Sequence, residues 1–217
     1  RIKTVMAAKY QRGRQSVHQY LRMTSIVNPH ATIRLKVIGK DGEIIDEGEW
    51  IRTTKILPRP VVEIRPHPHG MQFGTLQRML KNTKERNVKS FLRKEFEKVS
   101  PLVSKKILEH AEIDEKRRPS GLSVEGIQNL LSAFMAVKIQ APPTDCLSPI
   151  EDLLIKKGLE KAIDSRYAAT VTRAPTVSQG NPFQVEVGLV FGGDLPSDGS
   201  VEVLRFANRV PLMYQQG

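Results

Sequence analysis

The stretch RNVKSFLRKEF, Arg86 to Phe96, sets Val88, Phe91, Leu92 and Phe96 at i, i+3, i+4 and i+8. That spacing gathers the four apolar side chains on one face of a helix. Similar faces recur on both sides of it. Phe73, Leu76, Met79 and Leu80 form one upstream, and Val103, Ile107, Leu108 and Ala111 form one downstream. Ile127, Leu130, Leu131 and Phe134, with Lys138 beyond them, trace a fourth, preceded by Ser123 as N-cap and by Glu125 in the positive first turn. Four short helices, none able to bury its own stripe, predict a compact all-helical module over residues 71–142.

The flanks read differently. Ile2, Thr4, Met6, Ala8 and Tyr10 alternate with their neighbours, which predicts a strand, and Gln11-Arg12-Gly13-Arg14 predicts a turn. Val17, Tyr20 and Leu21 follow at helical spacing behind Ser16 as N-cap, and Asn28-Pro29 stops that helix. Residues 31–38 and 43–53 alternate around Lys40-Asp41-Gly42, a hairpin signature. Pro58, Pro60, Pro66 and Pro68 mark a connector, so residues 1–70 form an α+β piece with too few strands to cover a sheet. Downstream, Ala141-Pro142-Pro143 reads as a linker. Ser148-Pro149-Ile150-Glu151 has the form of a helix start, with Ser as N-cap, Pro at N1 and Glu at N3. A helix to about Ile163 is expected, then strands over 168–173, 183–191 and 201–210, with Phe183, Val185, Val187 and Leu189 on one face. The first residue is Arg rather than Met and the last strand pattern stops at Gly217, so a piece of a longer protein is expected.

Composition narrows the class. The 217 residues are 39% hydrophobic and 26% charged, an ordinary globular balance, and the length suits one or two domains. One Cys leaves no disulfide framework or Cys-built zinc site and suits a reducing compartment. Apolar runs of a handful of residues fall far short of the roughly 20 a spanning helix needs, and the N-terminal residues show no apolar leader. The 34 Lys and Arg exceed the 23 Asp and Glu, a formal net charge of +11. Residues 1–70 carry 13 basic and 6 acidic side chains, residues 71–140 carry 14 and 8, and residues 141–217 carry 7 and 9. An excess confined to the first two thirds favours a surface that faces a polyanion. Exposed Lys and Arg decorating helix faces are the plainer alternative.

Catalytic signatures are missing. The sequence has no G-x-x-x-x-G-K-[ST] loop, no G-x-S-x-G elbow and no H-E-x-x-H helix. His67-Pro68-His69 is the only close His pair and has no Cys or carboxylate beside it, so it reads as structural. Cys146 beside Asp145 reads as a small hydrophobe rather than a nucleophile. The basic residues carry more. Arg86, Lys89 and Arg93 fall at i, i+3 and i+7, a cationic stripe expected opposite the apolar face. Arg12 and Arg14 flank Gly13 in a turn, and Lys116-Arg117-Arg118 precedes Pro119-Ser120-Gly121 in a basic loop. Aromatics are 6% and do not interleave with these positions, which favours contact with a duplex backbone over base stacking.

Four strings carry a family resemblance: YQRGRQSVHQYLRMTSIVNPHA (10–31), PHPHGMQFGTLQRML (66–80), PPTDCLSP (142–149) and RFANRVPLMYQQG (205–217). Together, in order, they resemble the B subunit of DNA topoisomerase VI, the archaeal and plant type IIB enzyme. The resemblance implies an α+β chain in three parts. Residues 1–70 would be the C-terminal part of a Bergerat-type ATPase α/β sandwich. Residues 71–142 would be a helix-two-turns-helix module, and residues 143–217 the start of a ribosomal-protein-like β-α-β transducer domain.

The implied activity is ATP-driven closure of a B-subunit dimer, coupled to passage of one duplex through a transient break in another. ATP and Mg would be cofactors of the parent protein, bound by no residue of this chain, and the DNA-cleaving tyrosine would belong to the A subunit. Implied partners are duplex DNA, the A subunit and a second B subunit in a heterotetramer. The implied location is cytoplasmic for an archaeal protein and nuclear for a plant one. No catalytic residue is assigned. The DNA-binding candidates are Arg12, Arg14, Arg86, Lys89, Arg93, Lys116, Arg117 and Arg118. Two other readings stay open: a purely coupling segment without DNA contact, and a nucleic-acid-binding helix-two-turns-helix protein of another class. The zinc finger or catalytic N-terminal residue of a DNA glycosylase is absent from this sequence.

Overall fold

The computed structural model describes residues 1–213; the last four residues of the string 205–217 lie outside the described residues. Helices and antiparallel strand pairs mix along the chain, and backbone contacts divide it into two units. One unit joins Arg1–Arg59, Pro149–Arg173 and the chain from Glu186. The other joins Pro60–Ser148 to Ala174–Val185.

The second unit contains the four expected helices: α2 (Phe73–Asn82), α3 (Val88–Glu95), α4 (Pro101–His110) and α5 (Val124–Ala136). Each apolar stripe turns inward, and Leu76, Leu80, Phe91, Leu92, Phe96, Ile107, Leu130 and Phe134 are buried in one cluster. Phe96 stands edge-on to both Phe91 and Phe134, with ring centroids 5.6 and 5.3 Å apart, which adds aromatic geometry to simple area burial. Three helices start on side-chain caps that bond the third residue on: Asn87 to Ser90, Ser100 to Val103 and Ser123 to Gly126. A 3-10 turn, Pro68–Gly70, precedes α2, and a second, Pro119–Gly121, precedes α5.

The first unit holds α1 (Val17–Val27), capped by Ser16 as expected and ended at Asn28, and the hairpin of β1 (Ile33–Ile38) and β2 (Ile44–Trp50). It also holds α6 (Asp152–Ala162), which packs on α1 and on β3 (Tyr167–Thr172), the antiparallel partner of β6 (Glu186–Phe191). The α1–α6 approach is very close. A Cβ on Gly158 would overlap the Ile26 carbonyl oxygen and lie 2.9 Å from its carbon, so only glycine fits there. A two-residue turn, Gln179-Gly180, both at positive φ, joins β4 (Thr176–Ser178) to β5 (Asn181–Phe183) in the second unit. Another, Asn208-Arg209, joins β7 (Phe206–Ala207) to β8 (Val210–Pro211) in the first.

Several sequence expectations are corrected. Residues 2–10 alternate but form no strand, because no neighbouring strand pairs with them; Ile2 and Val5 stay 95% and 85% exposed. The Ser148-Pro149-Ile150-Glu151 start is overruled. Glu186 on β6 accepts the Ile150 and Glu151 N–H groups at 2.9 and 2.8 Å, holding them out of the helix, which begins at Asp152. The expected strand 183–191 is broken at Gln184-Val185, between β5 and β6. The expected strand 201–210 shrinks to β7 and the first residue of β8. Val187 and Leu189 do share a face, but it is exposed, because β6 turns Gly188 toward Leu159 and Ile155 of α6.

Candidate nucleic-acid interface

The structure sorts the candidate cations by what they touch. Arg12 does not point freely into solvent. Its guanidinium, through Nε at 3.0 Å, bonds the Asp46 carboxylate of β2, which Tyr10 and His18 also bond. The Arg12 hydrogen bond and then that of Tyr10 hold the Asp46 carboxyl well below its ordinary range. His18 in turn lies edge-on to the buried Trp50, 5.1 Å between centroids, so the cluster ties the 10–14 turn to the β1–β2 hairpin. Arg14 is exposed.

The expected stripe Arg86–Lys89–Arg93 does not form as one. Asn87 caps α3, so Arg86 precedes the helix and is off its face. Lys89 bonds Glu115 at 2.6 Å. Arg93 stays exposed, while its backbone carbonyl accepts from Arg65 at 3.2 Å. In the basic loop, Arg117 turns back to donate to the Gly121 carbonyl at 3.3 Å, and Lys116 and Arg118 are exposed. The loop is strapped to α3: the Val88 N–H donates to the Arg117 carbonyl at 2.9 Å and the Lys89 N–H to that of Glu115 at 3.3 Å. These bonds satisfy two of the donors that a helix N-terminus leaves open.

That strap brings residues far apart in sequence together. Arg86 and Arg118 line one cleft of about 310 Å³ with Lys81, Thr83, Glu85, Pro119 and Ser120. Sequence reading selected the two arginines separately and did not bring Lys81 and Ser120 beside them. No spacing links the last turn of α2 to a loop nearly forty residues on; the buried Pro119 against α2 makes the link.

Among the described residues no group of three His, Cys, Asp or Glu could hold a metal ion. The basic cleft has no glycine-rich backbone to cradle a nucleotide. The residues present therefore do not fit ATP with Mg, and no step of nucleotide chemistry is derived from them.

A family model described as "Topoisomerase VI B subunit, transducer" matches residues 142–217. The whole chain aligns at 49% identity with the B subunit of type 2 DNA topoisomerase 6 from Methanococcoides burtonii, over 34% of that protein. It aligns at 46% with the protein of the same name from Methanosarcina mazei, also over 34% of its length. The alignment with that of Thermococcus gammatolerans is 34% identical and takes in 98% of this chain and 45% of the relative. The chain belongs to the topoisomerase VI B-subunit family.

It spans about a third of the length of the first two relatives. Within the family frame, the transducer match takes in the Pro142-Pro143 linker, α6 and every strand from β3 on. The basic cleft lies ahead of it, in the part of the topoisomerase VI B-subunit alignment that the transducer model does not reach. No helix among the described residues is long and apolar enough to cross a membrane.

Proposed function

We infer that this chain is the coupling and DNA-contacting part of the ATP-binding subunit of a type IIB topoisomerase. The observation that carries the reading is the alignment of the whole chain with about a third of proteins of that name, with the transducer match at the chain's C-terminal third. Residues 1–70 are read as the end of the ATPase domain, 71–142 as a helix-two-turns-helix module and 143–217 as the start of the transducer. In the whole enzyme, ATP with Mg would bind outside these residues and close a dimer of B subunits, while the A subunit would cut the duplex. This chain's own contribution is mechanical and electrostatic. α6 lies against α1 with backbone almost in contact at Gly158, so movement of one helix is carried directly to the other.

The basic excess of residues 1–140 supports a DNA-facing role for the same segment. A pure coupler is the second reading, favoured by the paired state of Arg12, Lys89 and Arg117. Filter binding of the chain to plasmid DNA separates the two. Retention of DNA at 50 mM salt that vanishes by 200 mM is the expected result, and no retention at low salt would leave only the coupling role.

A further inference from the structure

α1 ends without a cation of its own, since no basic residue stands in its last turn. The carbonyls at and just past that end are bonded instead from far along the chain. The Lys161 ammonium, in the last turn of α6, donates to the Ala31 and Ser25 carbonyls at 3.0 and 3.4 Å. The Arg209 guanidinium, from the β7–β8 turn, donates through Nη1 to the Val27 carbonyl at 3.4 Å. Two positive charges at this end complement the helix dipole. Both come from the stretch that the transducer model matches.

Arg209 differs from Lys161 in where its other nitrogen goes. Nη2 donates to the Pro149 carbonyl at 3.1 Å, on the chain that enters α6. One side chain therefore touches the end of α1 and the start of α6. It does so from strained backbone: Arg209 stands at φ 64° in its turn, a conformation that glycine would take freely. The chain it grips is under competing demands. Ser148-Pro149-Ile150-Glu151 carries the marks of a helix start, yet Glu186 accepts the Ile150 and Glu151 N–H groups, and Glu151 stands at φ 74°. In a helix begun at Pro149, the Pro149 carbonyl would accept the Leu153 N–H. Arg209 competes for that acceptor while Glu186 takes the donors.

We propose that Arg209 is a positioning residue of the coupling step, tying the end of α1 to an unwound Pro149–Glu151 segment that winds onto α6 when the tie is released. The proposal rests on the topoisomerase reading and names the residue through which α1 acts on the transducer match. Held out by Arg209 and Glu186, or wound behind Ser148, the segment is the two-state element that a relay between distant sites needs. Displacement of the α1 end draws the Val27 carbonyl away from Arg209, weakens its hold on Pro149 and favours the wound arrangement.

The test puts this chain in place of the aligned third of the Methanococcoides burtonii B subunit, adds that organism's A subunit, and measures ATP hydrolysis beside relaxation of negatively supercoiled plasmid. Arg209→Gly removes the guanidinium and relieves the positive φ, so it adds no strain of its own. ATP hydrolysis is expected to persist. ATP used per link removed is expected to rise at least about tenfold, the order of losing one charge-assisted hydrogen bond. A merely structural role would lower both activities together and leave that ratio as it was, which would overturn the proposal. A variant indistinguishable from the parent chimera would overturn it as well, with the topoisomerase reading left standing. If the glycine variant does not assemble with the A subunit, Arg209→Met, which keeps the apolar stem, is judged by the same ratio. Failure of both to assemble would overturn the proposal, because a positioning role leaves assembly intact. A parent chimera that assembles but relaxes no plasmid would overturn the topoisomerase reading itself.

Discussion

His67 shows how much one buried polar side chain can fix. It is 5% exposed, its Nδ1 accepts the His69 N–H at 3.2 Å, and its Nε2 faces the Gln140 carbonyl at 3.0 Å. Only the neutral ring protonated at Nε2 satisfies both. Burial pushes its pKa below the ordinary 6.5, with the neighbouring His69 acting in the same direction against the Gln140 carbonyl and Glu97. A folded pKa below the unfolded one means that the stabilisation is complete above about pH 6.5 and is lost as pH falls through the folded value. A His67→Asn variant, followed by helix signal at 222 nm, should be less stable than the parent at pH 8, with the gap narrowing toward pH 5. A constant gap would show that His67 does not titrate in this way. The His67-Pro68-His69 string was legible as structural, but its partners were not, because Gln140 lies on the far side of all four helices in sequence. Arg12 teaches the same lesson. Its charge was visible in the sequence, while the Asp46 carboxylate that holds it is over thirty residues away.

At the scale of elements, the helices of the second unit were readable because their signals are local. The 3.6-residue period and the Ser123 cap lie within one segment. Where a distant group does compete, local reading failed. The Ser148-Pro149-Ile150-Glu151 start has every local mark of a cap, yet Glu186 takes the N–H groups of Ile150 and Glu151. The alternation of residues 2–10 failed for the opposite reason, since no partner strand reaches it. The Gly158 contact between α1 and α6 was invisible in the sequence, because a glycine inside a helical pattern ordinarily reads as a weakness. Gly158→Ala should therefore destabilise the first unit by about 1–3 kcal/mol despite the better helix propensity of Ala. Trp50, the chain's single Trp and buried in that unit, reports it by fluorescence during urea unfolding. A variant as stable as the parent would mean that the two helices are not locked at this point.

For the whole molecule, the division of charge along the chain carries the functional argument. The basic excess lies ahead of residue 141, and the transducer match begins at residue 142. The family was legible from four strings matched in order along the chain. The cleft between α2 and the 116–121 loop was only half legible: its two arginines could be picked out, but the cleft that unites them exists only after α2 and the Pro119 turn pack. The central claim is that this chain acts as a segment of a type IIB topoisomerase's ATP-binding subunit. The most direct test grafts it in place of the aligned third of the Methanococcoides burtonii protein, with that organism's A subunit as partner, and assays negatively supercoiled plasmid. ATP-dependent relaxation by the chimera is the predicted result. A chimera that folds and assembles with the A subunit, yet relaxes no plasmid with ATP present, would contradict it.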